Sequence, residues 1–370
     1  MSRLSVLALT LHPPGRAPSQ RYRLEAFVPS FAAQGLDVEM ANAMSLEDER
    51  GFYGTGLRRK ATAALRAFGR RLWSVRPRRR KPDVIFVQRE AFFLFNDWSE
   101  WLASLQAPLV FDFDDAIWIH AVSEANRRFA FLKNVSKIPR IVARAHTVIA
   151  GNAYLGAWAH THNANVHIVP TCVDTDVWTD APRSTTGPVV IGWCGSPSTI
   201  EHFKTVLPAL RQVKQRFGQR VAFQVMGAPT FRDEALDVRG VPWSEAAEVK
   251  FLQSMHIGLM PLPDDAWTRG KCGLKGLTSM ACGAATVMSP VGVNPSIVSH
   301  RHNGLLADTH DAWVAALSEL IENGRWRETL AQEGRRTVVD GYSVRRWSPV
   351  LVDLLRAAAN SLAGRHSQTR

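Results

Sequence analysis

Residues 269–290 read RGKCGLKGLTSMACGAATVMSP. Three cations, Arg269, Lys271 and Lys275, surround the start of a helix expected from about Gly273. Gly283 stops that helix, and the apolar run Ala285–Ser289 follows as a buried strand. Cations suit the C-terminal end of a helix dipole, so cations at its N-terminal end are unfavourable unless an anion lies among them. A diphosphate fits such a place; a solvated basic loop is the other reading.

Outward from this stretch the same pattern repeats. Leu4–Leu9, Val84–Gln88, Leu109–Phe113, Thr147–Ala150 and Val166–Val169 form one series of uniformly apolar runs. Val189–Trp193, Ala222–Met226, Ile257–Pro261 and Ala285–Ser289 form a second. Strands buried on both faces have this character. Helix candidates lie between them at Gln20–Gln34, Ile200–Phe217, Glu245–Met255, Leu274–Cys282 and Asp311–Asn323. The alternation predicts an α/β protein with parallel sheets. The aperiodic stretch TDAPRSTTGP at 179–188 marks the break between the two series. In open α/β sheets ligands bind beyond the carboxyl ends of the strands, so the loops there are where chemistry is expected.

The chain has 370 residues, 46% hydrophobic and 21% charged, which excludes a disordered polymer. Its net charge of +12 is concentrated: eleven basic residues and no acidic ones lie between Leu57 and Lys81, and without them the charge is +1. In that segment Leu57, Ala61, Leu65, Phe68 and Leu72 recur at helical spacing with arginines around them. This reads as a basic amphipathic helix for an anionic membrane surface. The alternative is a core-packed helix followed by a solvated basic loop. Nucleic acid is not expected, because the remaining charge is near zero and no recognition motif appears. The four cysteines form no C-x-x-C pair, no metal site is expected, and a reducing cytoplasm is the expected setting. No run is long enough to span a bilayer, and the first fifteen residues lack the features of a signal peptide.

Three further places carry candidate chemistry. The loop Cys194-Gly195-Ser196 after Trp193 resembles a phosphate-binding strand-to-helix turn, with a purely structural turn as the alternative. Asp112, Asp114 and Asp115 crowd the end of a buried strand, so one of them is expected to have a raised pKa. Asp114 is positioned to bind or deprotonate an acceptor hydroxyl, whereas Asp115 has helix capping as its alternative. Arg21 and Arg23 are expected to face an acceptor phosphate, or else to be surface charges. His12 and His120 lie near strand ends, where a structural role is the plainer reading.

The order GLKGLTSMACG, strand, SPVG, then NGLL resembles the retaining GT-B glycosyltransferases that use nucleotide sugars (family 4-like), and HIVPTCVDTDVW resembles their interdomain segment. The likeness runs over about residues 4–348. It implies two Rossmann-like domains facing across a cleft: residues 1–182 for the acceptor and 183–345 for the nucleotide sugar, with 346–370 a helix and tail returning toward the first domain. It implies no cofactor beyond the nucleoside-diphosphate sugar. It implies a hexosyltransferase-like enzyme acting on a glycan or lipid-linked acceptor, in bacterial surface polysaccharide or glycoconjugate synthesis. The expected setting is cytoplasmic, peripheral on the inner face of the membrane. Donor contacts then fall on Gly195, Ser196, Trp243, Arg269, Lys271, Gly273, Leu274, Lys275 and Thr278, acceptor contacts on Arg21 and Arg23, and catalysis on Asp114, Asp115 and Lys271. The family's two glutamates, with seven residues between them, correspond to Gly270 and Thr278 here. Its loop Arg and Lys correspond to Ser196 and Glu201, so Lys271 and Lys275 would have to supply the positive charge, and Asp264 or Asp265 the sugar contacts. These changes leave a non-catalytic GT-B scaffold subunit as the alternative, with a sugar-nucleotide epimerase of the same fold as a third reading.

Overall fold

The computed structural model describes residues 3–119 and 134–367, with side chains as far as residue 361. The chain forms two compact units: Met1–Pro170 with Trp347–Arg370, and Thr171–Arg346. His120 lies outside the described residues.

The first unit holds strands β1 (Leu4–Thr10), β2 (Leu36–Asn42), β3 (Val84–Gln88), β4 (Leu109–Phe113), β5 (Thr147–Ala150) and β6 (Val166–Ile168). They form one parallel sheet in the order β2-β1-β3-β4-β5-β6. Val6 pairs with Val38 on one side and Val84 on the other. All five residues of β3 and of β4 are buried, which is why they are apolar throughout. The edge strand β2 alternates instead, and for that reason does not stand out as an apolar run. Its helices are α1 (Pro18–Arg23), α2 (Val28–Ala33), α3 (Leu46–Tyr53), α4 (Leu57–Val75), α5 (Trp98–Ser104), α6 (Lys137–Arg144) and α7 (Ala153–His160). The helix expected over Gln20–Gln34 breaks at Leu24, whose φ is −135°, and restarts with Pro29 in its first turn, where the missing N–H costs nothing.

Helix α4 sits in its unit in an unexpected rotation. Ala63, Ala67, Ser74 and Arg71 face inward, and Leu57, Leu65 and Leu72 face out. Arg71 has no solvent exposure. Its guanidinium donates to Ala91 O at 2.9 Å, to Ala41 O at 3.0 Å and to Thr10 O, and so gathers the ends of β1 and β2 and the segment after β3. Burial pushes its pKa down to about 10, and Glu100 opposes that. The apolar stripe read from the sequence lies beside the packed face: its leucines are exposed, and only Phe68 reaches the core cluster around Ala67 and Phe92.

The second unit holds β7 (Val189–Cys194), β8 (Val221–Met226), β9 (Arg232–Asp233), β10 (Val238–Val241), β11 (Ile257–Met260), β12 (Ala285–Met288) and β13 (Leu305–Leu306). Their order is β13-β12-β11-β7-β8-β10-β9, parallel except for β9 against β10. Helices α8 (Ile200–Lys204), α9 (Leu207–Phe217), α10 (Glu245–Gln253), α11 (Leu274–Ala281), α12 (Asn294–Ile297), α13 (His310–Glu322) and α14 (Gly324–Gly341) pack around a core that includes Trp193, Phe203, Leu210, Leu259 and Leu317. The helix read as one over Ile200–Phe217 is two, because Pro208 opens a new first turn. The last helix, α15 (Val344–Ser367), passes into the first unit, where Ser348 accepts from Gln34 Nε2 at 3.0 Å and Leu351, Val352 and Leu355 are buried. The segment from Thr171 belongs with the second unit, since Val173 and Trp178 are bonded to Tyr342 and Arg335. The division thus falls at 170/171, upstream of the expected 182/183.

Candidate functional site

The topology names two places. In the second sheet the chain leaves β7 for β8 on one side and later crosses to β11 on the other, so the order reverses beyond the ends of β7 and β11. In the first sheet the reversal is at β1 and β3. Ligands in doubly wound sheets bind at such points.

At the end of β7, Gly195 takes its position from close backbone packing. Its amide donates to Met226 O at 3.1 Å, and a Cβ on it would lie 2.3 Å from the Trp193 ring and 2.9 Å from Lys275 Cε. Lys275 therefore runs over Gly195, with its ammonium 5.9 Å from the centre of the Trp193 ring. Lys271 stands 4.9 Å over the Trp267 ring. Between them α11 begins at Gly273, whose φ of +75° and whose 2.2 Å clearance from Ile297 Cδ1 to a built Cβ both require glycine. No side chain caps this helix at Gly273 among the described residues, and in its first turn Gly276 N donates to Met260 Sδ at 3.3 Å. Ser196 opens the turn before α8, its Oγ 2.8 Å from that of Ser198. Leu274 is half-buried in the first turn of α11, and Trp243 is half-buried just after β10.

His202 on α8 belongs to this group and was not singled out from the sequence. Burial first, and then the charges of Lys275 and Lys271, push its pKa down to about 4, with Asp265 and Glu201 opposing. A lone histidine beside a glutamate gives no sequence signal for that; only the fold brings the two lysines to it.

Two expected donor residues are used otherwise. Arg269 is held by both oxygens of Asp264, at 2.6 and 3.0 Å, on an exposed surface. Thr278 is buried, and its hydroxyl donates to Leu274 O and Lys275 O at 3.1 and 3.2 Å, inside its own helix. Asp265, a candidate for sugar hydroxyls, accepts from the amides of Trp267 and Thr268 at 2.9 and 2.8 Å and so closes the turn. With glycine at 270, neither of the two glutamate positions supplies a carboxylate.

In the first unit the three aspartates separate into two roles. Asp112 is buried against Arg23, whose Nε lies 3.2 and 3.1 Å from its oxygens, while Arg23 Nη1 donates to Val169 O at 2.6 Å. Arg23 is thus a core residue only 3% exposed, which corrects its assignment to an acceptor. Burial is the main cause that raises Asp112 to about 6; Arg23 opposes it and Asp114 adds to it. Asp114 and Asp115 lie outward of this pair. Ser19 Oγ is 2.7 and 2.6 Å from the two oxygens of Asp114, Arg89 Nη1 is 3.1 Å from Ser19 Oγ, and Arg89 is 3.2 Å from Asp115. Asp115 is therefore an ion-pair partner. Arg89 holds a left-handed backbone, φ +61°, which a long side chain adopts only under constraint. Neither Ser19 nor Arg89 was read as a site residue, since their neighbourhood is created by α1 folding onto the ends of β3 and β4. Arg21 lies 5.4 Å from the Tyr22 ring centre, and His12 Nδ1 is 2.9 Å from Glu49. Among the described residues no cluster of His, Cys, Asp and Glu is arranged to hold a metal ion.

Comparison with known proteins bears on both units. Residues 188–323 match the family described as Glycosyl transferases group 1. A sucrose-phosphate synthase from Thermosynechococcus elongatus has the same fold, with a TM-score of 0.68 and 15% identity over 96% of this chain and 99% of that one. A glycosyltransferase from Rickettsia africae gives 0.64 at 9% identity, over 97% and 99%. HepE from Anabaena, solved with UDP and glucose, gives 0.61 at 12%, over 96% and 99%. No curated protein sequence matches the chain. The fold is GT-B, with two Rossmann-like α/β units.

Proposed function

We propose that this GT-B protein is a glycosyltransferase that moves a hexose, with retention, from a nucleoside-diphosphate sugar to a hydroxyl of a glycan or lipid-linked acceptor. The observation that carries the reading is the convergence of Lys271, Lys275, the Gly195 turn and the uncapped start of α11 at the strand-order reversal of the second sheet. These groups suit two phosphates: the helix amides and lysines stabilise charge as it develops on the departing diphosphate. The family match spans all of them. Asp114, held by Ser19, is the group of the first unit suited to an acceptor hydroxyl. A role in bacterial surface polysaccharide synthesis at the cytoplasmic face of a membrane accords with such an acceptor.

The test is a thermal-shift screen of nucleoside diphosphates against the matching nucleosides, followed by donor hydrolysis across a nucleotide-sugar panel. Stabilisation by one diphosphate and turnover of its sugar support the reading. No stabilisation and no turnover refute it.

A second reading, a non-catalytic scaffold of a glycan assembly complex, is favoured by Gly270 and Thr278, which leave the glutamate positions without carboxylates. It predicts that Lys271→Ala and Asp114→Ala leave cellular glycan unchanged while deletion of the chain abolishes it.

A further inference from the structure

Helix α4 buries Ala63, Ala67, Arg71, Ser74 and Val75 while Leu57, Leu65 and Leu72 stay outward, although burial of apolar surface favours the leucines. Leu65 is 71% exposed, and Leu57 and Leu72 are also exposed. Nearby, Phe95 is 64% exposed and held on a left-handed backbone, φ +64°. Helix α5 adds Trp101, and Leu105 follows at its C-cap, both exposed and at helical spacing from Trp98. The faces meet where the half-buried Phe68 ring packs 5.1 Å from Trp98 and 6.5 Å from Phe95. Isolated exposed leucines need no explanation, but a joined patch of leucine, phenylalanine and tryptophan does.

The rim of the patch is basic. Arg58 and Arg59 lie between Leu57 and Leu65, and Arg79 and Arg80 follow the helix, all exposed and with no carboxylate at ion-pair distance among the described residues. The nearby acidic groups are engaged: Glu47 and Asp48 with Arg66, Asp48 also with Arg70, and Glu39 with Arg78. No helix among the described residues is long and apolar enough to cross a membrane, so a lipid contact would lie along the surface. An in-plane helix of this length lies about 28 Å along such a surface.

We propose that the outer face of α4, together with Phe95, Trp101 and Leu105, is a surface that inserts shallowly into an anionic bilayer. Leucines and aromatics enter between headgroups while the unpaired arginines meet lipid phosphates. The partner is argued from charge and from the apolar centre: a nucleic acid would leave the leucines and Phe95 in water. The inference deepens the lipid-linked acceptor reading and takes its purpose from it, but its physics is independent of turnover.

The test is sedimentation of the full chain with vesicles of phosphatidylglycerol and phosphatidylcholine at 30:70, against pure phosphatidylcholine. The wild type is expected to bind the anionic vesicles only. Arg79→Gln with Arg80→Gln should weaken binding on the order of 30-fold, an effect that shrinks at 0.5 M salt, roughly the regime where charges screen within a few ångströms. Leu65→Ser with Phe95→Ser should weaken it about tenfold at any salt concentration. Circular dichroism melting and the nucleoside-diphosphate thermal shift check that each variant is folded and that its second unit is intact, so failure here is distinct from failure of the transfer reading. Wild-type protein that ignores anionic vesicles overturns the proposal, as does unchanged binding by the Leu65→Ser/Phe95→Ser protein. So does a wild-type dimer that this variant converts to monomer without any vesicle binding, which would assign the face to a second copy.

Discussion

Replacing Asp112 by asparagine measures what the first unit spends to hold a carboxylate inside its sheet. Asp112 is 1% exposed, and its only cation partner among the described residues is Arg23. Its pKa stands at about 6 in the fold against an ordinary 3.8. A carboxylate raised on folding makes the folded state bind the proton that the unfolded chain releases, so its contribution is full below pH 3.8 and disappears as pH rises through about 6. The gap of roughly two units corresponds to about 3 kcal/mol. The assay is urea unfolding of the wild type and Asp112→Asn at half-unit steps from pH 4 to 7.5. Relative to the variant, the wild type should lose about 2.4 kcal/mol of this across that window, most of it between pH 4.5 and 6. Arg23→Met, which leaves the carboxylate buried alone, should cost about 4 kcal/mol at pH 7 and less at pH 4.5. Parallel profiles for wild type and Asp112→Asn would refute the reasoning, because the carboxyl would then have the same proton affinity folded and unfolded.

Three other outcomes follow from the structure. Lys271→Ala and Lys275→Ala should each weaken nucleoside-diphosphate binding about tenfold, read by titration calorimetry, and flatten its salt dependence. Diphosphate binding should raise the proton affinity of His202, so that binding at pH 5.5 takes up a proton, seen as different heats in two buffers of unlike ionisation enthalpy; His202→Gln should remove that difference. Arg71→Met should destabilise the fold by about 3 kcal/mol in urea, because three backbone carbonyls lose one donor group together.

Much of the fold is legible in the sequence because its central strands are buried on both faces and read as unbroken apolar runs. The edge strand β2 and the two-residue strand β9 lack that signal. The candidate phosphate end was legible for a different reason: Gly195, Lys271, Gly273 and Lys275 sit in local motifs whose geometry is set within a few residues. The first-unit cluster was not. Ser19 and Asp114 lie 95 residues apart, and Arg89 and Ser19 lie 70 apart, so no spacing announces them. Arg23 misled because a basic residue in a polar stretch looks exposed until Asp112 is seen beside it. The amphipathic pattern of α4 showed an apolar stripe, but periodicity does not say which way a stripe faces. That was decided by Arg71.

The guanidinium of Arg71 reaches carbonyls 61, 30 and 20 residues away in the chain, at Thr10, Ala41 and Ala91. The rotation of helix α4 in the folded protein is thus fixed by three segments that lie far from it in the chain. A peptide of residues 57–75 alone is a different object from the same residues in the protein: it lacks the acceptors that hold Arg71 inward and leave the leucines outward.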